Sequence, residues 1–483
     1  MTLEMAATTG ERPAVTLGER SLSAAELLRL ARAAAERFRG ASAVLYRAPN
    51  HLAYPVTLFA CALAGVPFVP LNYRLGAEQL TEIEARHPGA ERVGPEDLDG
   101  LLDGPAAQQA DDVQAPWDQD AVAVILYTSG TTAAPKAALL RHRHLLAYVL
   151  NTLEFDSAAD GDAALVAVPP YHIAGLTNLM SNLYTGRRVV YLPAFSAAEW
   201  LATVRREKVT HAMLVPTMLA RIVEEIPAGA DADVPSLRSL AYGGARAPRT
   251  VVEKALRAFP GTDFVNAYGL TETSSSIAVL GPAEHRAALG ATDPLVRDRL
   301  TSVGRPLPGV EIELRTPEGE VCPVGRTGLV HVRGDQISGE YRGRSVLDAD
   351  GWFPTGDLGR MDADGYLSIE GRADDTIIRG GENIAPAEIE DVLLDHPGIR
   401  EAVVIGVPDE EWGQRIVAVL VGTGDPEEIR RWAKGRLRTS KTPDAVVFRA
   451  DLPRTGTGKL LRRTLIAELT KSDPLDNPEK SHA

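Results

Sequence analysis

The sequence predicts an α/β protein: a large N-terminal domain of doubly wound sheets with a β subdomain, then a small α+β C-terminal domain. Three observations predict it. Short apolar strands alternate with helical segments through the first part of the chain. From about Val310 the texture changes to short β segments between Gly/Pro turns. Near Arg372 it changes again, to a strand-and-helix pattern of about 100 residues. The expected division is therefore 1–373 for the N-terminal domain, with its β subdomain at about 310–370, then 374–472, then a polar, disordered tail at 473–483.

Ser23-Ala-Ala-Glu26 is a capping-box pattern opening a helix with apolar positions Leu27, Leu28, Leu30 and Ala31, and Gly40 suits its end. Residues 43–46 read as a strand, 52–64 as a mostly buried helix and 66–70 as a strand edge. Residues 104–116 read as a polar surface loop ahead of a central apolar strand at 121–127. A helix is expected at 139–153, and a strand at 164–168 that ends in Pro169-Pro170-Tyr171-His172. Strand 211–215 stops at Pro216-Thr217. Strand 239–241 precedes Tyr242-Gly243-Gly244-Ala245, and strand 263–266 precedes Ala267-Tyr268-Gly269-Leu270-Thr271-Glu272-Thr273. One design repeats: a short strand, then a loop of small residues. Such loops on one sheet edge line a crevice, where open α/β sheets bind ligands. Strands at 311–315, 328–333 and 366–370 form the β subdomain. Segments 386–395, 401–407, 415–422, 426–437, 445–449 and 459–469 read as helix, strand, strand, helix, strand, helix.

The totals narrow the function. A chain of 483 residues exceeds one core, and 45% hydrophobic with 24% charged residues is ordinary for a soluble protein. The balance of 51 Lys+Arg against 65 Asp+Glu, net −14, argues against a surface that coats nucleic acid. Two cysteines, Cys61 and Cys322, make neither a disulfide framework nor a zinc site by themselves and fit a reducing, cytoplasmic setting. The N-terminus does not read as a signal peptide, and no apolar run approaches the roughly 18 residues of an integral membrane segment.

The stretch Thr128-Ser129-Gly130-Thr131-Thr132-Ala133-Ala134-Pro135-Lys136 ends the central strand in small and hydroxylated residues plus one cation. Backbone N–H groups and hydroxyls in such a turn can surround an anion. The Walker Gly-Lys-Ser/Thr is missing. The same composition also suits a plain polar strand-to-strand turn.

Five stretches stand in order: this loop, Tyr268-Gly-Leu-Thr-Glu272, Trp352-Phe-Pro-Thr-Gly-Asp357, Gly371-Arg372-Ala-Asp374-Asp375 and Arg454-Thr-Gly-Thr-Gly-Lys459. Together they resemble the adenylate-forming superfamily of acyl-CoA synthetases, aryl-CoA ligases, peptide-synthetase adenylation domains and luciferases. The resemblance covers nearly the whole chain. Gly380-Gly381-Glu382-Asn383-Ile384 and Pro408-Asp409-Glu-Glu-Trp412-Gly413-Gln414 look like the acyl- and aryl-CoA ligase branch. The resemblance implies a mobile C-terminal lid. It also implies a reaction with ATP, Mg²⁺ and coenzyme A: a small carboxylic acid attacks the ATP α-phosphate, and CoA then takes the acyl group. A carrier-protein thiol, an amine or another small nucleophile is the alternative acceptor. A carboxylate is already a nucleophile, so such a site positions anions and neutralises charge on phosphate.

Residue by residue, the resemblance implies that Thr128, Ser129, Gly130, Thr131, Thr132 and Lys136 hold the β- and γ-phosphates. Gly243, Gly244 and Ala245 line the adenine slot, and Tyr268 stacks on the base. Thr271 touches the α-phosphate and Glu272 holds Mg²⁺. Asp357 takes both ribose hydroxyls, which a carboxylate can accept together, and Arg372 reaches the ribose. Lys459 bridges the reacting carboxylate and α-phosphate, and His172 gates the acyl pocket. Rotation about Asp374 would withdraw Lys459 and bring in Gly380-Gly381 beside a pantetheine arm. Trp412 is either a CoA contact or a core tryptophan. Each residue also has a plain structural reading: Glu272 at a solvated helix start, Asp357 in a turn, Lys459 capping a Gly turn, His172 packed. Relatives usually carry glycine where Ala133 and Ala137 stand, and alanine resists positive φ by roughly 1 kcal/mol or more. The acyl pocket is sought near Tyr171, His172, Thr177, Asn178, Tyr242, Gly244, Ala267, Ser274 and Ser275. The small polar Ser274 and Ser275 suggest a roomy or polar floor, and the lean is to an aromatic or medium-chain acid. A monomer or homodimer is expected.

Overall fold

The computed structural model describes residues 2–8, 11–103, 118–128, 136–227, 229–409, 411–454 and 460–471. The capping box forms as read. The Ser23 hydroxyl accepts from Glu26 N at 3.1 Å, and the Glu26 carboxylate accepts from Ser23 N at 2.8 Å, opening the helix Ala24–Phe38. Its buried stripe, Leu27, Leu30 and Ala31, packs toward the buried helix Ala53–Ala64.

Two large sheets carry the N-terminal part. The nine-stranded sheet runs Arg305–Pro306, Ser275–Leu280, Asp263–Leu270, Ser239–Gly243, His211–Leu214, Ala163–Val166, Arg188–Tyr191, Pro13–Leu17, Arg20–Ser23. Its centre is parallel and its ends are antiparallel. The seven-stranded sheet runs Arg344–Ser345, Glu340–Tyr341, Lys136–Arg141, Val122–Thr128, Phe68–Pro70, Val44–Tyr46, Glu91–Val93. The helix Ile173–Thr185 joins them: Leu176, Leu179 and Leu183 share one buried cluster with Leu27, Val44, Phe68 and Val124. A second cluster, with Trp200, Leu219, Val252 and Phe259, is built from helices packed on the nine-stranded sheet.

The β subdomain is a four-stranded antiparallel sheet, Glu311–Arg315, Gly328–Arg333, Phe353–Met361, Leu367–Arg372. It is not self-contained. Residues 340–345 leave it to extend the edge of the seven-stranded sheet, where Tyr341 pairs with Ala138. The C-terminal lobe is a three-stranded sheet, Ile399–Asp409, Gly413–Gly422, Ala445–Phe448. Helices Pro386–Leu394 and Pro426–Lys434 contribute to one of its two buried clusters and Arg462–Lys471 to the other.

Several boundaries differ from the sequence reading. Residues 139–141 are strand: Ile125 pairs with Leu139 and Leu126 with Ala138, and the helix starts at His142. The apolar run from Ala137 satisfies either period, and the neighbouring strand decides. Residues 267–270 are also strand, because Asn266–Leu270 pair with Ser275–Leu280. Asp357 lies within the strand Phe353–Met361 rather than in a turn. Trp412 is 45% exposed, which removes the core-tryptophan alternative. Cys61 and Cys322 are free thiols. No helix among the described residues is long and apolar enough to cross a membrane. The 104–116 loop and the 473–483 tail lie outside the described residues.

Candidate active site

The adjacent strands Phe353–Met361 and Leu367–Arg372 place Asp357 opposite Arg372. Arg372 Nη1 donates to Asp357 Oδ1 at 2.9 Å. From the other sheet, Tyr268 Oη donates to Asp357 Oδ2 at 2.5 Å. Asp357 is 5% exposed, and its own N–H is held by Thr355 Oγ1 at 3.1 Å. Burial and the Asp357 charge keep the Tyr268 phenol protonated, well above its ordinary value. Each carboxylate oxygen keeps a further lone pair, so two hydroxyls could still be accepted.

Gly243 and Gly244 have separate reasons to be glycine. Gly243 lies opposite Ala267, where a Cβ would collide with the Ala267 carbonyl oxygen. Gly244 takes φ +81°, which costs a side-chain residue energy. After Ala245 the chain turns to Arg246, which donates to the Ala387 carbonyl at 3.0 Å and pairs with Asp391 on the C-terminal lobe.

Thr128 and Lys136 face each other across the strands Val122–Thr128 and Lys136–Arg141. Ser129, Gly130, Thr131, Thr132 and Ala133 lie outside the described residues. Ala137 sits in the strand opposite Tyr127 and has no positive φ, so glycine is not required there. Thr271 and Glu272 occupy a single 3₁₀ turn after the strand Asp263–Leu270. Glu272 is 7% exposed, its carbonyl accepts from Ser338 N at 2.8 Å, and its carboxylate accepts from Tyr341 Oη at 2.5 Å. Lys136 Nζ lies 5.7 Å from the centre of the Tyr341 ring. Sequence reasoning missed Tyr341. It stands on a two-residue strand outside every motif, so nothing local marks it.

His172 precedes the helix Ile173–Thr185, with its ring 4.5 Å from that of Tyr171, which in turn lies 5.6 Å from Tyr73. Burial, with a smaller contribution from Arg74, pushes His172 down to about 4, so the imidazole is neutral near pH 7. Tyr171 Oη, His172 Nε2 and Ser274 Oγ are buried without a hydrogen-bond partner among the described residues. Thr177 Oγ1 donates to Ser275 Oγ at 3.0 Å, and Ser274 and Ser275 take φ +54° and +112°. Tyr242 is a correction to the expected lining: fully buried, it bonds His285 at 2.9 Å and packs in the cluster of Trp200 and Phe264.

Asp374 sits in the 3₁₀ turn Ala373–Asp375 between the lobes. Arg462 lies 3.5 Å from Asp375 and 2.7 Å from Glu390. Gly380 and Gly381 take φ +55° and +82° at the turn of the hairpin Ile377–Arg379 and Glu382–Ile384. Gly380 N donates to the Trp412 carbonyl at 2.8 Å, and the Arg379 guanidinium lies 5.2 Å from the Trp412 ring centre. Lys459 lies outside the described residues.

Residues 3–342 match the family model for AMP-binding enzymes, and residues 388–459 match that for the AMP-binding enzyme C-terminal domain. The chain is 37% identical to a feruloyl-CoA synthase of Amycolatopsis sp over 93% of its length and 94% of the relative's. It is 33% identical to the fatty acid–[acyl-carrier-protein] ligase ScoC of Streptomyces coeruleorubidus, over 94% and 92%. Among solved structures it is similar to the o-succinylbenzoate CoA synthetase of Bacillus subtilis, at 30% identity. With the acyl-adenylate intermediate bound, that enzyme superposes at a TM-score of 0.82, covering 96% of this chain and 97% of that one. With ATP and magnesium ion it superposes at 0.80, covering 96% and 98%. The chain belongs to the AMP-binding enzymes, in the adenylate-forming branch of acyl- and aryl-CoA ligases.

Proposed function

We propose that the protein is an ATP- and Mg²⁺-dependent carboxylate–CoA ligase that makes an acyl-adenylate and pyrophosphate, then acyl-CoA and AMP. The observation that carries this is Asp357, a buried carboxylate held by Tyr268 and Arg372. It would accept the ribose hydroxyls with the adenine beside Tyr268 and the Gly243–Ala245 turn. Thr128 to Lys136 would hold the β- and γ-phosphates, with Thr271 at the α-phosphate. A single buried carboxylate fits magnesium, which is commonly held by one or two carboxylates and substrate phosphates. Glu272 supplies that donor, and no cluster of three or more His, Cys, Asp or Glu suited to a metal occurs among the described residues. When bound, the ion would offset charge on the phosphates.

Lys459 acts in the first step. Residues 374–472 then turn about Asp374 as a lid on 1–373, so that Gly380-Gly381 borders the thiol path. The rings of Tyr73, Tyr171 and His172, with the unpartnered buried polar atoms of Tyr171, His172 and Ser274, support an aromatic acid carrying a polar substituent. The Streptomyces relative supports a second reading, in which a carrier-protein thiol is the acceptor.

A panel of carboxylic acids with ATP and Mg²⁺, following pyrophosphate and AMP separately with and without CoA, tests the proposal. Pyrophosphate release with an acyl-CoA product is expected. Adenylation without a CoA product would sink the acceptor assignment. Lys459→Ala is expected to abolish adenylate formation and spare thioester formation from supplied acyl-AMP; equal loss of both steps would refute the two-orientation scheme.

A further inference from the structure

Tyr341 belongs to none of the motifs, yet it touches two of them. Its strand pairs with Ala138, two residues past Lys136. The preceding residues tie the same place together: Ser338 N and Gly339 N both donate to the Glu272 carbonyl, at 2.8 and 3.3 Å, and the Ser338 hydroxyl bonds the Leu139 carbonyl. This bracket leaves the Tyr341 side chain between an anion and a cation. Its hydroxyl donates to Glu272 Oε1 at 2.5 Å, and its ring centre lies 5.7 Å from Lys136 Nζ. Among the described residues, Tyr341 is the side chain that hydrogen bonds the Glu272 carboxylate.

We propose that Tyr341 is a positioning residue for the metal–triphosphate end of ATP: it holds one oxygen of Glu272, aims the other at the divalent ion, and keeps the Lys136 ammonium over its ring. The inference rests on the roles proposed above for Glu272 and Lys136. A carboxylate held at one oxygen is restrained from swinging into a direct ion pair with Lys136. Without the phenol, Glu272 and Lys136 are free to approach each other, and each would be lost to its phosphate or metal partner. The ring supplies a weak cation–π contact that steadies Lys136. Its hydroxyl supplies a charge-assisted hydrogen bond, the stronger of the two contacts. The two contributions can be separated, because phenylalanine keeps the ring and removes only the hydroxyl.

The test is calorimetric binding of Mg·ATP and of AMP to Tyr341→Phe, Tyr341→Leu and Glu272→Gln, with thermal melting of each. AMP lacks the β- and γ-phosphates and serves as the control for general damage. Tyr341→Phe is expected to weaken Mg·ATP about tenfold, raise the Mg²⁺ concentration needed for half-maximal pyrophosphate release, and leave AMP affinity unchanged. Tyr341→Leu is expected to lose a further few-fold. Unchanged Mg·ATP binding in Tyr341→Phe, or equal losses for Mg·ATP and AMP, would overturn the positioning role. Glu272→Gln separates the two ideas. If it shifts Mg·ATP binding and Tyr341→Phe does not, only the role of Tyr341 falls. If Glu272→Gln itself changes nothing, the metal role of Glu272 falls, and Tyr341 with it.

Discussion

The two ends of the site are built on opposite plans. At the proposed nucleotide end the side chains hold one another: Asp357 takes Tyr268 and Arg372, and Glu272 takes Tyr341. At the proposed acyl end, Tyr171 Oη, His172 Nε2 and Ser274 Oγ are buried with no partner among the described residues. An unpaired buried polar atom costs about 1–3 kcal/mol, so such groups persist where a ligand or water completes them. The proposed nucleotide end is already held together by the protein's own hydrogen bonds. The proposed acyl end leaves its buried polar atoms for a group the described residues do not supply. A preorganised network fails through broken protein–protein bonds; a waiting pocket fails through lost substrate contacts.

The largest test of this contrast is Asp357→Asn. The amide keeps the shape but offers one acceptor oxygen to two donors, Tyr268 Oη and Arg372 Nη1. A hydrogen bond to a charged group is worth about 1.5–3 kcal/mol, so kcat/KM for ATP should fall about 10- to 150-fold, with a lower melting temperature. Steady-state kinetics with ATP varied reads the effect; a change confined to the KM of the acid would break the comparison. Next in size, Tyr171→Phe and His172→Leu each remove an unpartnered polar atom. Both should leave the melting temperature level or raised and lift the acid KM by about tenfold, with KM for ATP unaltered. A fall in stability for both would mean that these atoms are satisfied within the protein.

A smaller effect is expected at the contact between the lobes. Arg246 adjoins the Gly243–Ala245 turn and pairs with Asp391 and the Ala387 carbonyl. Arg246→Ala should loosen the present lobe orientation and change the ratio of adenylation to thioesterification rates a few-fold, as expected for a half-exposed ion pair worth about 0.2–1 kcal/mol. Single-turnover measurement of each half-reaction reads that ratio, and an unaltered ratio would mean that the pair does not resist lid rotation.

The smallest effect is the response to pH. His172 and His144 are each pushed down to about 4, chiefly by burial, from an ordinary value of 6.5. Unfolded chains therefore bind more protons than folded ones below 6.5. The stability contributed is complete above 6.5 and is lost as pH falls toward 4. Melting temperature should decline over that window, and His172→Leu should flatten the decline. The acid KM should be level from about pH 6 to 8, because His172 stays neutral there.

Much was legible locally. Ser23 and Glu26 lie three residues apart, and both bonds of their capping box form. Asp357, Arg372, Tyr268 and Glu272 were named from their motifs, and three of them meet in one hydrogen-bonded group. What was missed involves partners distant in sequence. Residues 139–141 carry an apolar pattern that suits helix or strand, and pairing with Val122–Thr128 settled it. Tyr242 looked like pocket lining because it precedes two glycines, yet its strand faces it into the core beside His285. A one-residue step along a strand reverses the face, and small-residue motifs do not encode which face is inward.

By itself the sequence determined the family, the alternating architecture, the capped start of the helix Ala24–Phe38 and the motif residues, because caps, turns and periodicity act over a few residues. Only the tertiary structure decided that Tyr341, on a two-residue strand, reaches Glu272 across 69 positions, and that Arg246 joins the Gly243–Ala245 turn to the C-terminal lobe. Those contacts depend on the packing of separate sheets. No spacing along the chain can specify them, since the distance that matters is set by which edge each strand joins.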